Sequence, residues 1–271
     1  SVEANIGFSY SVVSNHHDSG KGSLRQFIIN SHYLVYGRSN TYLDKQSLAQ
    51  ENHPAGVDNA IFKNQVNEII LQSPLNMDGV HNTYIDARLP NNERPLSIRN
   101  GRTNPLNGEY GLKIKNSSDS KIAGINWSYF YDAVYLENSN RVEIAGNSFN
   151  HTHDSGLKLL SSNYNKIVRN VFNDTVNKEL NDYEAAGLFI KDSSNNLVEG
   201  NAFFNTGDDH LSYPFEWHAS GVRVYYGDNN KITQNTFSNT RGLAIDLRSY
   251  LAAGVINPND FNYNWGASTS N

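Results

Sequence analysis

From Gly111 to Leu247, apolar residues recur in short alternating runs, and the runs repeat. Ile122-x-x-Ile125-x-Trp127 is followed by Ile144-x-x-Asn147-x-Phe149 and Ile167-x-x-Asn170-x-Phe172. Val198-x-x-Asn201-x-Phe203 and Ile232-x-x-Asn235-x-Phe237 complete the series. The aromatic anchors at 127, 149, 172, 203 and 237 step by 22, 23, 31 and 34 residues. A second run keeps phase with them: Gly111–Lys115, Ala133–Glu137, Gly156–Leu160, Gly187–Lys191, Gly221–Tyr225 and Gly242–Asp246. Period-two alternation predicts short half-buried strands, and repeats of this length predict a solenoid, propeller or array. Apolar spacing at i, i+3, i+4 is missing, which excludes a helical solenoid. A propeller blade needs about 40 residues and four strands, which the shorter rungs do not provide. The remaining architecture is a parallel β-helix, whose equivalent positions stack about 4.8 Å apart. In that stack Asn147, Asn170, Asn201 and Asn235 form an amide ladder, and Phe149, Phe172, Phe203 and Phe237 form an aromatic column.

The flanks read differently. Phe8–Val13 alternates and predicts a first strand, and His16–Gly22 is a turn cluster. Ser23 is placed as the N-cap of a helix through Val35, with Leu24, Phe27 and Ile28 at helical spacing. An open solenoid end exposes strand edges and core, so this helix is expected to be its cap. Gly37–Asn64 is a polar excursion. Glu68–Leu71, Thr83–Asp86 and Arg94–Arg99 are early strands, regular rungs begin at Gly111, and the pattern fades after Leu247. The expected organisation is one β-helix domain over 1–271. It divides into an N-terminal cap and excursion (1–64), coils (65–247) and a tail (248–271).

Bulk properties narrow the function. Net charge is −5, which argues against nucleic acid as a partner. No apolar run approaches the length that spans a membrane. The absence of cysteine removes disulfides, thiol nucleophiles and Cys-ligated zinc. No nucleophile elbow of the Gly-x-Ser-x-Gly type occurs.

The N-x-I-x-x-N-x-F rungs resemble those of right-handed parallel β-helix carbohydrate-active proteins: the pectate lyases, polygalacturonases and alginate lyases or epimerases. The resemblance runs from about Glu68 to Leu247. It implies an all-β, right-handed parallel β-helix with an N-terminal capping helix, acting on a polysaccharide. Asp18–Gln26 resembles the opening of many secreted bacterial β-helix proteins, which implies a secreted or cell-surface location and makes Arg25 a cap residue. Gly254–Asn271 resembles a tail that precedes further modules in larger members; a simple C-terminal cap is the other reading.

Two rungs are enlarged in the same turn, at Asn173–Ala185 and Asn205–Ala219, with Asn150–Ser155 directly below. Insertions on one side of a repeat protein mark a binding face. The following strand offers an outward column Lys113, Tyr135, Lys158, Phe189, Arg223, Ala244 and a second Lys115, Glu137, Leu160, Lys191, Tyr225, Asp246. Lys113, Phe189, Lys191, Tyr225, Trp217 and Tyr213 are the candidate sugar-binding residues. Uronate lyases need a cation on the carboxylate beside the abstracted proton, a base, and an acid for the leaving oxygen. By the resemblance, Lys158 and Arg223 are assigned as base and charge neutraliser. His153 and His210 are acid or base candidates, and Tyr135 is a further group of suitable type. The family often uses Ca²⁺, for which Asp154, Glu184, Asp208 and Asp209 are the candidate ligands. The expected activity is β-elimination on an acidic or modified extracellular bacterial glycan, of the capsule or biofilm-matrix type. A glycoside hydrolase is the rival, because Gly207-Asp208-Asp209 matches the polygalacturonase Gly-Asp-Asp. A non-catalytic glycan-binding or adhesin module is the third reading. No Asp-Pro-x-x-His motif of the alginate epimerases is present.

Overall fold

The computed structural model describes residues 11–35, 57–63, 65–88, 95–103, 105–176, 185–206, 220–240 and 242–248. Within them the chain winds through three seven-stranded sheets, and every strand pair is parallel. Sheet 1 contains Glu68–Leu71, Leu96–Asn100, Ile125–Ser128, Ser148–Thr152, Val171–Thr175, Ala202–Phe204 and Thr236–Ser238. Sheet 2 contains Leu75–Asp78, Leu112–Lys115, Asp132–Glu137, Ser155–Leu160, Ala186–Lys191, Ser220–Tyr225 and Ile245–Arg248. Sheet 3 contains Asp58–Asn59, Thr83–Asp86, Lys121–Ala123, Glu143–Ala145, Lys166–Val168, Leu197–Glu199 and Lys231–Thr233. Each coil passes from sheet 3 to sheet 1 to sheet 2, so the molecule is a parallel β-helix.

The expected columns stack in register. Trp127 pairs with Phe149, Phe149 with Phe172, Phe172 with Phe203 and Phe203 with Phe237. The four phenyl rings stack at centroid distances of 4.8, 4.6 and 5.0 Å. Asn147, Asn170 and Asn201 each donate from Nδ2 to the amide oxygen of the asparagine one coil on, at 3.2, 3.0 and 3.0 Å. Their backbone N–H groups donate to the same oxygens at 2.9, 2.8 and 2.8 Å. A buried corner would otherwise strand these backbone groups without water.

The glycines that begin the sheet 2 strands follow from the ring column. A Cβ on Gly156, Gly187 or Gly221 would stand 2.7, 2.8 or 2.7 Å from the Cδ1 of Phe172, Phe203 or Phe237. The same Cβ atoms would stand 2.9, 2.8 or 2.6 Å from the carbonyl oxygens of Gly187, Gly221 or Ala244 in the next coil, so only a residue without a side chain fits between rings and backbone.

The cap also forms. A helix runs over Leu24–Val35, and Ser23 Oγ accepts the Gln26 backbone N–H at 3.1 Å. Leu24, Phe27 and Ile28 are buried, and the His32 Nδ1–H meets the carbonyl of Asp78 on the first sheet 2 strand. Arg25 holds this cap down, donating to Asp18 and to the carbonyls of Ser73 and Pro74 at 2.6–2.9 Å. The N-terminal strand is short, Val12–Val13, and pairs with Ile61–Phe62; the start of the expected strand lies outside the described residues. No helix among the described residues is long and apolar enough to cross a membrane.

Phe172→Ala should cost about 3–5 kcal/mol of unfolding free energy in a urea titration, the range for buried aromatic truncation. Gly187→Ala, which adds one methyl against Phe203, should cost about 1–3 kcal/mol. A Gly187→Ala protein as stable as the parent would show that the glycine column is not set by the rings.

Candidate functional site

The enlarged turns connect sheet 1 to sheet 2 in successive coils, leaving after Phe172 and Phe203 and returning at Ala185 and Ser220. Their ends are stitched to one another: Val176 N–H donates to Thr152 O, Ala186 N–H to Asp154 O, and Ser220 N–H to Ala185 O. They therefore share one corner, beside the outward face of sheet 2. Six candidates, Glu184, Asp208, Asp209, His210, Tyr213 and Trp217, lie outside the described residues.

The sheet 2 columns differ from the expected ones at the last rung. The first column is Asn76, Lys113, Tyr135, Lys158, Phe189, Arg223 and Asp246. Arg223 thus faces Asp246, not Ala244, and Tyr225 faces Arg248. The register has slipped by two residues. A slip of two keeps inside inside and outside outside, so alternation alone could not reveal it.

That slip changes the role of Arg223. Its Nε donates to Asp246 Oδ2 at 2.9 Å and its Nη2 to Ser220 Oγ at 3.1 Å, and the side chain is 1% exposed. It is engaged in a buried ion pair two rungs from Lys158, not poised beside it. Phe189 is fully buried as well. Lys158 Nζ lies 5.2 Å from its ring centroid, and Tyr225 packs on it edge-on at 5.4 Å. Its ring is a packing surface here, not the open sugar platform expected from the alternation. Lys191 and Tyr225 stand beside each other in the second column, both half-buried.

The middle of the column gathers polar chemistry. Lys158 Nζ donates to Asp154 Oδ2 at 3.1 Å, and that carboxylate is 1% exposed. Lys113 Nζ lies 5.3 Å from the ring centroids of both Tyr110 and Tyr135, and 4.0 Å from Glu137. The two tyrosine rings are 5.2 Å apart. Burial, then the Glu137 carboxylate and Tyr110, push the Tyr135 phenol up to about 12, against the pull of Lys158. Tyr135 therefore keeps its proton throughout the neutral and mildly alkaline range. Burial and then the Asp132 carboxylate raise Tyr110, Lys158 opposes, and Asp154 and Glu137 add to the rise. His153 is buried beside Asp154 at the same corner, with its backbone N–H on the Phe130 carbonyl at 3.0 Å.

Of the four candidate calcium ligands only Asp154 lies within the described residues. One oxygen of Asp154 already faces the Lys158 ammonium, and no group of three His, Asp or Glu residues able to hold a metal occurs among the described residues. No chemical step below runs through a metal.

Residues 90–213 match the family model described as the right handed beta helix region. The chain is a right-handed parallel β-helix. Among solved structures it is similar to the alginate lyase from Paenibacillus sp. str. FPU-7, at 11% identity and a TM-score of 0.31, over 87% of this chain and 99% of that one. No curated protein matches the sequence. The expected right-handed parallel β-helix is thus borne out as a fold.

On this right-handed β-helix, sequence reasoning missed Tyr110 and Asp132. Tyr110 ends a third enlarged turn, residues 101–110, at the same corner as the other two. The turn is tied by Glu109, which accepts from the Asn100 side chain at 3.1 Å and the Leu106 N–H at 2.8 Å. The signal was the long gap between Ile98 and Leu112, hidden because no Phe anchor marks that coil. Asp132 is 1% exposed and one position before the alternating run, so the period-two pattern passed over it.

The raised Tyr135 phenol gives a sign. It holds its proton where the unfolded chain, with an ordinary value of 10.0, has lost it. The stability this confers is complete below about pH 10 and is lost as pH rises toward about 12. In an alkaline titration of phenolate absorbance, Tyr135→Phe should remove one late-ionising phenol; loss of an ordinary one, near pH 10, would contradict the assignment.

Proposed function

We propose that this protein is a polysaccharide lyase that cleaves an acidic extracellular glycan by β-elimination on the outward face of sheet 2. The observation that supports it is the run Lys113, Tyr135, Lys158 on adjacent rungs, with the protonated phenol between two ammonium groups. The lysines are roughly 10 Å apart at the usual strand spacing, comparable to a disaccharide repeat. Ammonium groups there neutralise sugar carboxylates and hold the charge that develops when the neighbouring C5–H is removed. Lys158, held on Asp154, is assigned this electrostatic role and not that of base. His153 is assigned as the base, as the imidazole beside Asp154 at this corner. It takes the C5 proton, the electron pair forms the C4–C5 double bond, and the C4–O bond breaks. Tyr135 delivers its proton to the leaving oxygen. Both groups then return to their starting states by proton exchange with water.

A binding module is the second reading, favoured by the Tyr110–Tyr135 pair around Lys113, which offers rings and charge with no need of a base.

The protein should generate unsaturated-sugar absorbance on at least one member of a panel of alginate, polygalacturonate, hyaluronan and bacterial capsular polysaccharides. Tyr135→Phe should lower kcat on the order of 10²–10⁴-fold with binding retained, whereas Lys158→Ala should weaken both. Saturable binding with no product would establish the binding module instead. Neither binding nor product across the panel would sink both readings.

A further inference from the structure

A recess lies on another side of the molecule. It is a groove of about 770 Å³ on the outward face of sheet 1, within the size range of small-molecule and cofactor sites. Its floor carries Asn126, Ser148 and Asn150, whose side chains are linked: Asn150 Nδ2 donates to Asn126 Oδ1 at 2.5 Å and to Ser148 Oγ at 3.0 Å. One wall is Arg88, held flat by Asp86 through Nε–Oδ1 at 2.8 Å and a second bond from Nη2. The other wall is Tyr129 and His151, stacked ring on ring at 4.9 Å with 25° between their planes.

The wall of rings stands where the fold prefers something else. Tyr129 and His151 directly follow the paired residues Ser128 and Asn150, and the same place in the next coils is held by Asp174, Asn205 and Asn239. All five have positive φ, between 48° and 62°. Short Asp and Asn side chains tolerate that conformation best, and a bulky ring there is an exception. Positive φ recurs at other corners of this helix, so the conformation alone points to nothing. Rings also stand at positive φ at Tyr164 and Tyr226; what sets Tyr129 and His151 apart is that the two rings stack on each other along the edge of a groove.

We infer that this groove is a second carbohydrate site, one that takes neutral sugar residues. Its guanidinium is already paired within the protein, Arg88 with Asp86, and the Asp174 carboxylate is met by His151 Nε2 at 3.2 Å. What remains on offer is a planar set of amides, hydroxyls and guanidinium edges, suited to vicinal diols, beside an aromatic wall suited to the C–H face of a pyranose. The sheet 2 face differs in carrying a column of lysines, of which Lys158 meets Asp154 and Lys113 and Lys115 meet Glu137.

The test uses the stabilising direction of the column. Tyr129→Asn and His151→Asn restore the residue type that positive φ favours, so both variants should fold and melt no lower than the parent. The probes are cello-, manno-, xylo- and galacto-tetraose, followed by the ring resonances of His151 in NMR and by calorimetry. At least one should shift His151 and bind, with affinity lowered on the order of tenfold or more by Tyr129→Asn and unchanged within about twofold by Lys158→Ala. Failure of every probe to shift His151, or undiminished binding in both asparagine variants, would overturn the second site. Lyase assays on the acidic panel are independent of Tyr129, so either outcome leaves the reading of sheet 2 separately decided.

Discussion

The side-chain amide at the corner between sheets 3 and 1 is the contact on which the rest depends. Parallel strands joined by tight corners leave backbone N–H groups that no ladder can reach. Each asparagine oxygen accepts two of the donors of its neighbour, one from backbone and one from side chain, and the neighbour's Nδ2 also reaches a carbonyl one coil away, such as Asn170 Nδ2 to Ile144 O at 2.9 Å. Because the pattern is the same in each coil, it fixes register as well as satisfying polar groups. The phenyl column, the glycines over it and the outward columns of sheet 2 are all placed by that register.

A second and a third ladder follow the same logic. Ser117, Ser139, Ser162 and Ser193 hand hydroxyl oxygens to backbone N–H groups at the corner between sheets 2 and 3, at 3.1, 3.2, 3.0 and 2.9 Å. Asn165, Asn196 and Asn230 continue that corner. On the outer side of sheet 1, Asn126, Asn150, Asn173, Asn205 and Asn239 form a half-exposed row. Three polar rows around one apolar column explain how a chain with only 38% apolar residues builds a continuous core.

Much of this was legible in the residue order. The rings and one amide ladder were visible because they repeat with steps of 22, 23, 31 and 34 residues, and the serine row carries the same first three steps, at 117, 139, 162 and 193. The site was legible only in part. Lys113, Tyr135 and Lys158 stand on one column as alternation requires, but alternation says nothing of what lies over a strand, so the burial of Phe189 and Arg223 was hidden. The position of Asp246 was hidden for a different reason, since a shift of two residues leaves the apolar pattern unchanged. Tyr110 and Asp132 sit at a corner, where period-two reasoning has no grip. The stacked pair Tyr129 and His151 occupies a turn whose conformation only coordinates reveal.

The ring spacing has a consequence for how such a molecule changes over time. Coils of 23 and of 34 residues stack their phenyl groups at 4.8 and 5.0 Å, so the interior does not register the size of what leaves the corner between sheets 1 and 2. Chain length can be added or removed at that corner while the ladders and the column stay as they are. Ligand preference and folding are thereby uncoupled: descendants of this scaffold are free to exchange one wall for another without first acquiring a new core.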